Sequence, residues 1–188
     1  MQSGQLFVYL ASAAAIASMS GCAALTPEVQ IAKLKGATFS EFIGKRFPIR
    51  SNTDGRTLKD GEFLAYFNEV NSYELYRPKR EFDIFCNLNE GNLQLLSKST
   101  ADPISNAPLP AATSMVSWDE RKAEREKLLA AYNAAINSGA IGTFRCINNS
   151  TKLVEWTVSL QPRQFYRESS SNLLSTNKLM LDINVLTP

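Results

Sequence analysis

TFRCINNSTKLVEWTVSL, residues 143–160, is the stretch that decides the fold. Every second residue from Val154 to Leu160 is apolar and the residues between them are mostly polar, which indicates a half-buried antiparallel strand. Asn148-Asn149-Ser150 are turn-forming residues, and Thr143 to Ile147 before them has strand character. The stretch therefore predicts two strands whose shared apolar face covers a core.

Similar strand patterns occur elsewhere in the chain. The segments 61–68 and 71–77 are rich in Phe and Tyr, and 81–88 alternates apolar and polar residues, with Phe82, Ile84, Cys86 and Leu88 on one face. Asn89 to Asn92 supplies turn residues that lead into a returning strand over 93–97. Phe47 to Arg50 contains Pro48 and is at best an edge strand. A last strand is predicted over 178–186.

Two short helices are expected near the start. Thr26-Pro27 is an N-cap followed by Pro at the first helical position, and the run ends at Gly36. Thr38-Phe39-Ser40-Glu41 is a capping box, and the helix it starts is predicted to end at Gly44. These helical turns can pack on the edge of a domain, or form an amphipathic patch that lies on a membrane.

The longest helix is predicted from Ser117 to Asn137. Ser117-Trp118-Asp119-Glu120 is a second capping box, and Gly139 follows the last turn. Its first half is almost all charged, whereas the second half carries an apolar stripe that includes Leu128, Leu129, Tyr132 and Ile136. The fold class predicted is therefore α+β: an antiparallel sheet or two-layer sandwich of six to eight strands, with one long helix (about 118–137) inserted between two strand groups.

Three parts of the chain are distinguished by composition. We expect a targeting segment over 1–21, a short helical segment next to an anchor over 22–45, and a single α+β domain over 46–188. Inside that domain, 101–112 is a Pro-rich loop, and 161–177 is polar, rich in Ser and expected to be mobile.

Cys86 and Cys146 are the two cysteines that follow the targeting segment, and they are predicted to form a disulfide. Export would place them in an oxidising compartment, and a single pair lacks the number of ligands for a zinc site and the spacing of a redox motif. Each lies in the first strand of a predicted hairpin, so the bridge is expected to join two hairpins. The chain-entropy model gives about 4 kcal/mol of stabilisation for a loop of about 60 residues.

The first 22 residues carry the clearest functional information. Leu6 to Met19 is apolar or small without a charge, but is shorter than the ~20 residues of a membrane-spanning helix. Met19-Ser20-Gly21-Cys22 resembles the lipobox of bacterial lipoproteins. The resemblance implies that Cys22 is lipidated and anchors the chain to a membrane, and Ala23 after it favours the bacterial outer membrane. The alternative is an ordinary export signal that ends at Ala24.

Composition argues against several function classes. The chain has no His and a net charge of +2, which removes most hydrolase arrangements, the commonest zinc ligand and the basic stripe of a nucleic-acid binder. Ser175-Thr176-Asn177-Lys178 matches a serine-lysine pattern but precedes a strand. Asp54, Asp60 and Glu62 fit no calcium loop. We therefore expect no catalytic residue, no metal and no cofactor.

The sequence favours a non-enzymatic envelope lipoprotein, an accessory or assembly component of a secretion, conjugation, pilus or outer-membrane complex. Its candidate partner surface is the charged half of the long helix, with Arg121, Lys122 and Arg125, together with 101–112. An alternative is a binding protein for a small apolar ligand or a glycan, and a hydrolase is third. Exposed aromatic residues on strands would serve either of the first two functions: Tyr73, Tyr76 and Phe85.

Overall fold

The computed structural model describes residues 26–47, 62–67, 72–101, 117–169 and 175–186. Helices and strands alternate in no regular order along these residues, so the α+β class is confirmed. The helices are α1 (Pro27–Ala32), α2 (Phe39–Arg46), α3 (Arg77–Leu88) and α4 (Trp118–Asn137), with a 3₁₀ turn at Ser72–Leu75. The strands are β1 (Glu62–Phe67), β2 (Gly91–Lys98), β3 (Gly142–Asn148), β4 (Val154–Ser169) and β5 (Ser175–Leu186).

The five described strands form one antiparallel sheet in the order β1-β5-β4-β3-β2. The prediction of six to eight strands was wrong, and in this part of the chain the strands do not divide into two sheets. Two predicted strands are helical where the structure describes them. Residues 72–77 of the predicted strand 71–77 form the 3₁₀ turn and the start of α3, and 81–88 forms the rest of α3. Phe47 closes α2, and Pro48 to Arg50 lie outside the described residues.

The helix α3 has an alternating apolar pattern, which led to the wrong prediction of a strand over 81–88. Pro78 lies in its first turn, where a missing N–H costs nothing, so this proline starts the helix and does not break a strand. Phe82, Phe85 and Cys86 are spaced three and four residues apart and are all buried, so one helical stripe faces the core. The apolar residues at even positions of 81–88 fit a strand equally well. Only the helix also places Phe85 on the buried side.

The segment 161–177 was predicted to be mobile, and most of it is strand. β4 continues to Ser169 and β5 begins at Ser175, with residues paired from Gln161↔Asp182 to Ser169↔Ser175. Pro162, which has no N–H to donate, sits where the register shifts between Pro162 and Gln164. Backbone hydrogen bonds between strands do not require apolar side chains, so a polar, Ser-rich sequence can extend a hairpin.

Aromatic residues link the N-terminal helices to the sheet. Phe39 of α2 stacks on Trp156 of β4 with ring centroids 3.9 Å apart, and Phe42 stacks on Phe85 of α3 at 4.3 Å. Ile43 is buried in the same cluster. The apolar side of α2 is therefore part of the core, and the amphipathic patch that would use it to lie on a membrane is not formed.

One buried polar cluster fastens α2 to α3. Glu81 is only 2% exposed, and its carboxylate accepts two hydrogen bonds from Arg46, Nε to Oε2 at 2.9 Å and Nη2 to Oε1 at 2.8 Å. Arg77 donates to the same carboxylate from Nε at 2.9 Å, and Arg46 also reaches Gln30 of α1. A buried carboxylate is stable here because both of its oxygens are paired with cations.

Candidate functional site

The disulfide between Cys86 and Cys146 joins α3 to β3, with the two Cα atoms 5.9 Å apart. The predicted pairing is confirmed, but the prediction that it joins two hairpins was wrong because Cys86 lies on a helix. Both cysteines are fully buried. A Cβ on Gly91 would lie 2.4 Å from the Cys146 Sγ and 2.6 Å from the Cys86 Sγ, so the bridge occupies the space where a side chain would stand. The bridge is therefore structural.

The first turn of α4 is held by its predicted capping box. The Ser117 Oγ accepts a hydrogen bond from the Glu120 N–H at 3.2 Å, and the Glu120 carboxylate accepts one from the Ser117 N–H at 2.8 Å. The backbone bond, followed by the hydroxyl, holds the pKa of Glu120 below its usual value. The cap satisfies backbone N–H groups of the first turn that have no partner within the helix.

The two halves of α4 have different surroundings. Trp118 is 62% exposed, and every described side chain from Ser117 to Lys127 is exposed. Tyr132 and Ala135 are buried, and Tyr132 Oη donates to the Ala101 carbonyl oxygen. We call residues 118–127 the free half of α4, because among the described side chains of this helix core packing begins at Leu128.

The predicted partner residues lie on this free half. Lys122 is exposed, and positions 121 and 125 fall by helical spacing on the stripe that continues toward Leu128 and Tyr132. The side chains of Arg121 and Arg125, and the loop 102–112, lie outside the described part of the structure. Sequence reasoning missed Trp118 as a candidate, although an aromatic residue with only charged residues at i+3 and i+4 has no apolar neighbour on its own helix.

In the middle of the sheet, β3 and β4 carry polar side chains on the face opposite Phe144 and Cys146. Ser99 Oγ donates to Gln161 Oε1 at 2.6 Å, and Gln161 Nε2 donates to Ser159 Oγ at 3.2 Å. Arg145 of β3 alternates with the buried Phe144 and Cys146, so it lies on this polar face. Its Nε is buried without a hydrogen-bond partner. Arg145, the charged residue of an otherwise neutral strand, is the second candidate that the sequence pattern could have indicated.

The aromatic candidates separate into buried and exposed. Phe85, predicted to be exposed on a strand, is instead buried at the α2–α3 contact because it lies on the core side of a helix. Tyr73 and Tyr76 are exposed, 59% for Tyr73, and lie on the 3₁₀ turn and at the start of α3. The 3₁₀ turn that carries Tyr73 contacts α4, although the two elements are remote in sequence.

The remaining chemical candidates are not assembled into a site. Ser175 and Lys178 lie in β5, where residues three apart are on opposite faces, so the lysine cannot act on the serine as it would from a helix. Glu62 lies in β1, and Asp54 and Asp60 are outside the described residues. No group of three metal-ligating side chains comes together in the described residues.

The lipobox-like segment and Cys22 precede the first described residue, Thr26. Among the helices that the structure describes, none has the length and hydropathy of a membrane span. Comparison with protein-family models, with curated proteins and with solved structures finds no match to the chain.

Proposed function

We propose that this chain is a lipid-anchored protein of the bacterial outer membrane that acts through a protein partner docked on the free half of α4. The observation that carries the proposal is Trp118, which is 62% exposed on a helix whose other half is packed. Trp and Arg are the residues that most often supply binding energy at the centre of protein interfaces.

The energetics of the free half support a partner. The ten residues of the free half span about 15 Å and extend a helix that its packed half already nucleates, so their order depends on local terms and not on burial. The capping box and i,i+4 charge pairs stabilise the first turns by about 1 and ~0.2–0.5 kcal/mol respectively. A partner that buries Trp118 would contribute more than these local terms, because burial of a large side chain is worth roughly 1.5–3 kcal/mol.

The chemistry of the partner is indicated by the residues of this surface. Trp118 would be buried best in an apolar pocket of the partner. The basic residues at helical spacing around it would pair with carboxylates at the rim of that pocket: Arg121, Lys122 and Arg125. A lipid on Cys22 would hold the chain at the membrane, where an accessory component of an envelope complex meets its partner. Without histidine or a metal cluster in the described residues, the function proposed is binding and not catalysis.

Two variants test the proposal in the intact protein. Trp118→Ala, and separately the triple reversal of Arg121, Lys122 and Arg125 to Glu, should abolish stoichiometric co-purification of a partner from detergent-solubilised membranes. Leu153→Ala is the matched control, since Leu153 is an apolar residue, 68% exposed, on the β3–β4 turn. Co-purification that survives both variants would overturn the docking surface.

The anchor is tested separately. Cys22→Ala should leave an unprocessed precursor and abolish metabolic labelling with palmitate. Labelling that persists in this variant would overturn lipidation, and normal processing of the variant to an exported, unlabelled form would favour the signal that ends at Ala24.

A second candidate function is favoured by Arg145. Its unpartnered Nε on a polar sheet face suits an anionic ligand that a guanidinium binds in bidentate geometry, such as an acidic glycan. Native mass spectrometry of protein released gently from membranes should then show a co-purifying ligand that Arg145→Gln loses and Trp118→Ala keeps. A ligand-free spectrum for the unaltered protein would exclude this candidate.

A further inference from the structure

The helix α1 lies next to the proposed anchor, and its outer side defines a surface that we call the α1 face: Val29, Ala32, Lys33 and Lys35. We infer that the α1 face rests against a phospholipid surface that carries anionic headgroups. The inference rests on the proposed lipidation of Cys22 and adds how the domain is oriented on the membrane.

The length of chain before α1 carries the first step. Four peptide steps separate Cys22 from Thr26, where the described structure begins. Even fully extended, they span at most about 14 Å. A lipid on Cys22 keeps that residue at the headgroups, so the start of α1 cannot move away from the membrane by more than this distance.

The packing of α1 carries the second step. Ile31 is fully buried and Leu34 is nearly so, which fixes one side of the helix against the domain. Val29, Ala32 and Lys33 lie on the other side and are exposed, and the exposed Lys35 follows in the next turn. The side of the domain nearest the anchor therefore presents small apolar groups and two cations.

Charge carries the third step. Lys33 and Lys35 make no ion pair with a described residue. The acids of α1 and α2 themselves have other partners. Glu28 pairs with Arg80 of α3, and the Glu41 carboxylate caps α2. The α1 face is thus positive next to the anchor, which suits anionic headgroups and not a neutral or cationic surface.

The contact is expected to be electrostatic. The large apolar residues of α2 are in the core, so they cannot insert between lipids. A lysine near an anionic surface favours the bound orientation about fivefold, and two lysines do so roughly 25-fold at low salt. A short tether makes this weak preference sufficient, because the lipid surface is always at high effective concentration.

Lysine acylation on the full lipidated protein tests the inference. The protein is reconstituted into vesicles of phosphatidylcholine alone or with phosphatidylglycerol, treated with a small amine-reactive reagent and analysed by mass spectrometry. Lys33 and Lys35 should be acylated several-fold more slowly on the anionic vesicles, and high salt should restore their labelling because it screens the attraction. Lys122 is the internal reference, since it is exposed on α4 and is not part of the α1 face.

The outcomes separate the two proposals. Protein that does not float with either kind of vesicle would show that the anchor is absent, and the inference would fail together with the proposed lipidation. Protein that floats with both, but whose Lys33 and Lys35 react equally on both, would overturn the α1 face alone. The double variant Lys33→Gln, Lys35→Gln should float as the unaltered protein does. Its amide hydrogen exchange in α1 should be the same on the two kinds of vesicle. Exchange that still differed between them would also overturn the α1 face.

Discussion

Two helices of this protein begin with the same local structure and differ in how their first turns are packed. α2 starts at Thr38-Phe39-Ser40-Glu41 and α4 at Ser117-Trp118-Asp119-Glu120, and both capping boxes are formed. The first helical residue is aromatic in each case, but Phe39 is 7% exposed and Trp118 is 62% exposed. A cap therefore decides where a helix begins, whereas tertiary burial decides how much of the fold depends on that beginning.

The sharpest test of this comparison removes the two aromatic rings. Phe39→Ala should lower the free energy of unfolding by about 3–5 kcal/mol, because it deletes a buried ring that stacks on Trp156. Trp118→Ala should change it by no more than about 0.5 kcal/mol. Chemical denaturation measures both. A large loss for Trp118→Ala would show that the free half of α4 belongs to the core.

The polar cluster at α2 gives a second large effect. Glu81→Ala leaves Arg46 and Arg77 without their shared carboxylate, so about 3–5 kcal/mol of stability should be lost. The matched control is Arg80→Ala, which breaks the pair with Glu28 at the surface and should cost less than about 1 kcal/mol. Equal losses in denaturant melts would mean that the Glu81 cluster is no more important than a surface pair.

Sequence patterns predicted where helices begin better than they predicted how the elements pack together. Both capping boxes, the disulfide partners and the strand around Trp156 were found from the sequence alone. The helix α3 was missed because its apolar residues at 82, 84, 86 and 88 also fit a strand. Two features favour a helix: Pro78 in the first turn, and the i,i+4 pair of Arg77 and Glu81. Both features are informative only if a helix is considered as an alternative to the strand.

The candidate site was only partly predictable. The charged start of α4 indicated an exposed half, because charged residues at nearly every helical position leave no apolar stripe. The sequence shows that Trp118 and Arg145 differ from their neighbours, but the exposure of Trp118 and the buried, unpartnered Nε of Arg145 depend on how the sheet and helices pack around them.

Gly91 beside the disulfide tests how tightly the packed side of the molecule is filled. Gly91→Ala would place a Cβ within 2.4 and 2.6 Å of two bonded sulfur atoms, and overpacking of this kind costs about 1–3 kcal/mol. In the Cys86→Ala, Cys146→Ala background the sulfurs are gone and the penalty should shrink, so the energies will not add. Gly44→Ala in α2 is the control, since nothing lies within 4 Å of its added Cβ. Additive losses in the triple variant would contradict the clash.

Removal of the two caps should destabilise the first turn of each helix by a similar amount but should change the melting temperature of the protein differently. Thr38→Ala and Ser117→Ala each remove a hydroxyl that accepts a backbone N–H, which costs about 1 kcal/mol of helix stability. Thr38→Ala should lower the melting temperature, because α2 is part of the core. Ser117→Ala should instead increase amide exchange over 118–127 and leave the melting temperature nearly unchanged; a fall equal to that of Thr38→Ala would remove the distinction between the regions.

The smallest expected effect is the response of the caps to acid. Hydrogen bonds from the cap residue, the backbone N–H first and the hydroxyl second, lower the pKa of Glu41 and of Glu120. A carboxylate with a lowered pKa stabilises the folded state above its usual value of about 4.3, and this stabilisation is lost as the pH falls through the lowered pKa.

Gln keeps the shape of the side chain without its charge, so Glu41→Gln and Glu120→Gln report this contribution. Glu41→Gln should flatten the acid-side dependence of the melting temperature, since protonation of that residue is coupled to global unfolding through α2. Glu120→Gln should leave the melting curve unaltered and flatten only the acid loss of helical circular dichroism, which reports on the free half of α4. If both variants shifted the melting curve alike, the two caps would be equally coupled to the core, and a partner that docks on the free half of α4 would bind a surface that is already ordered.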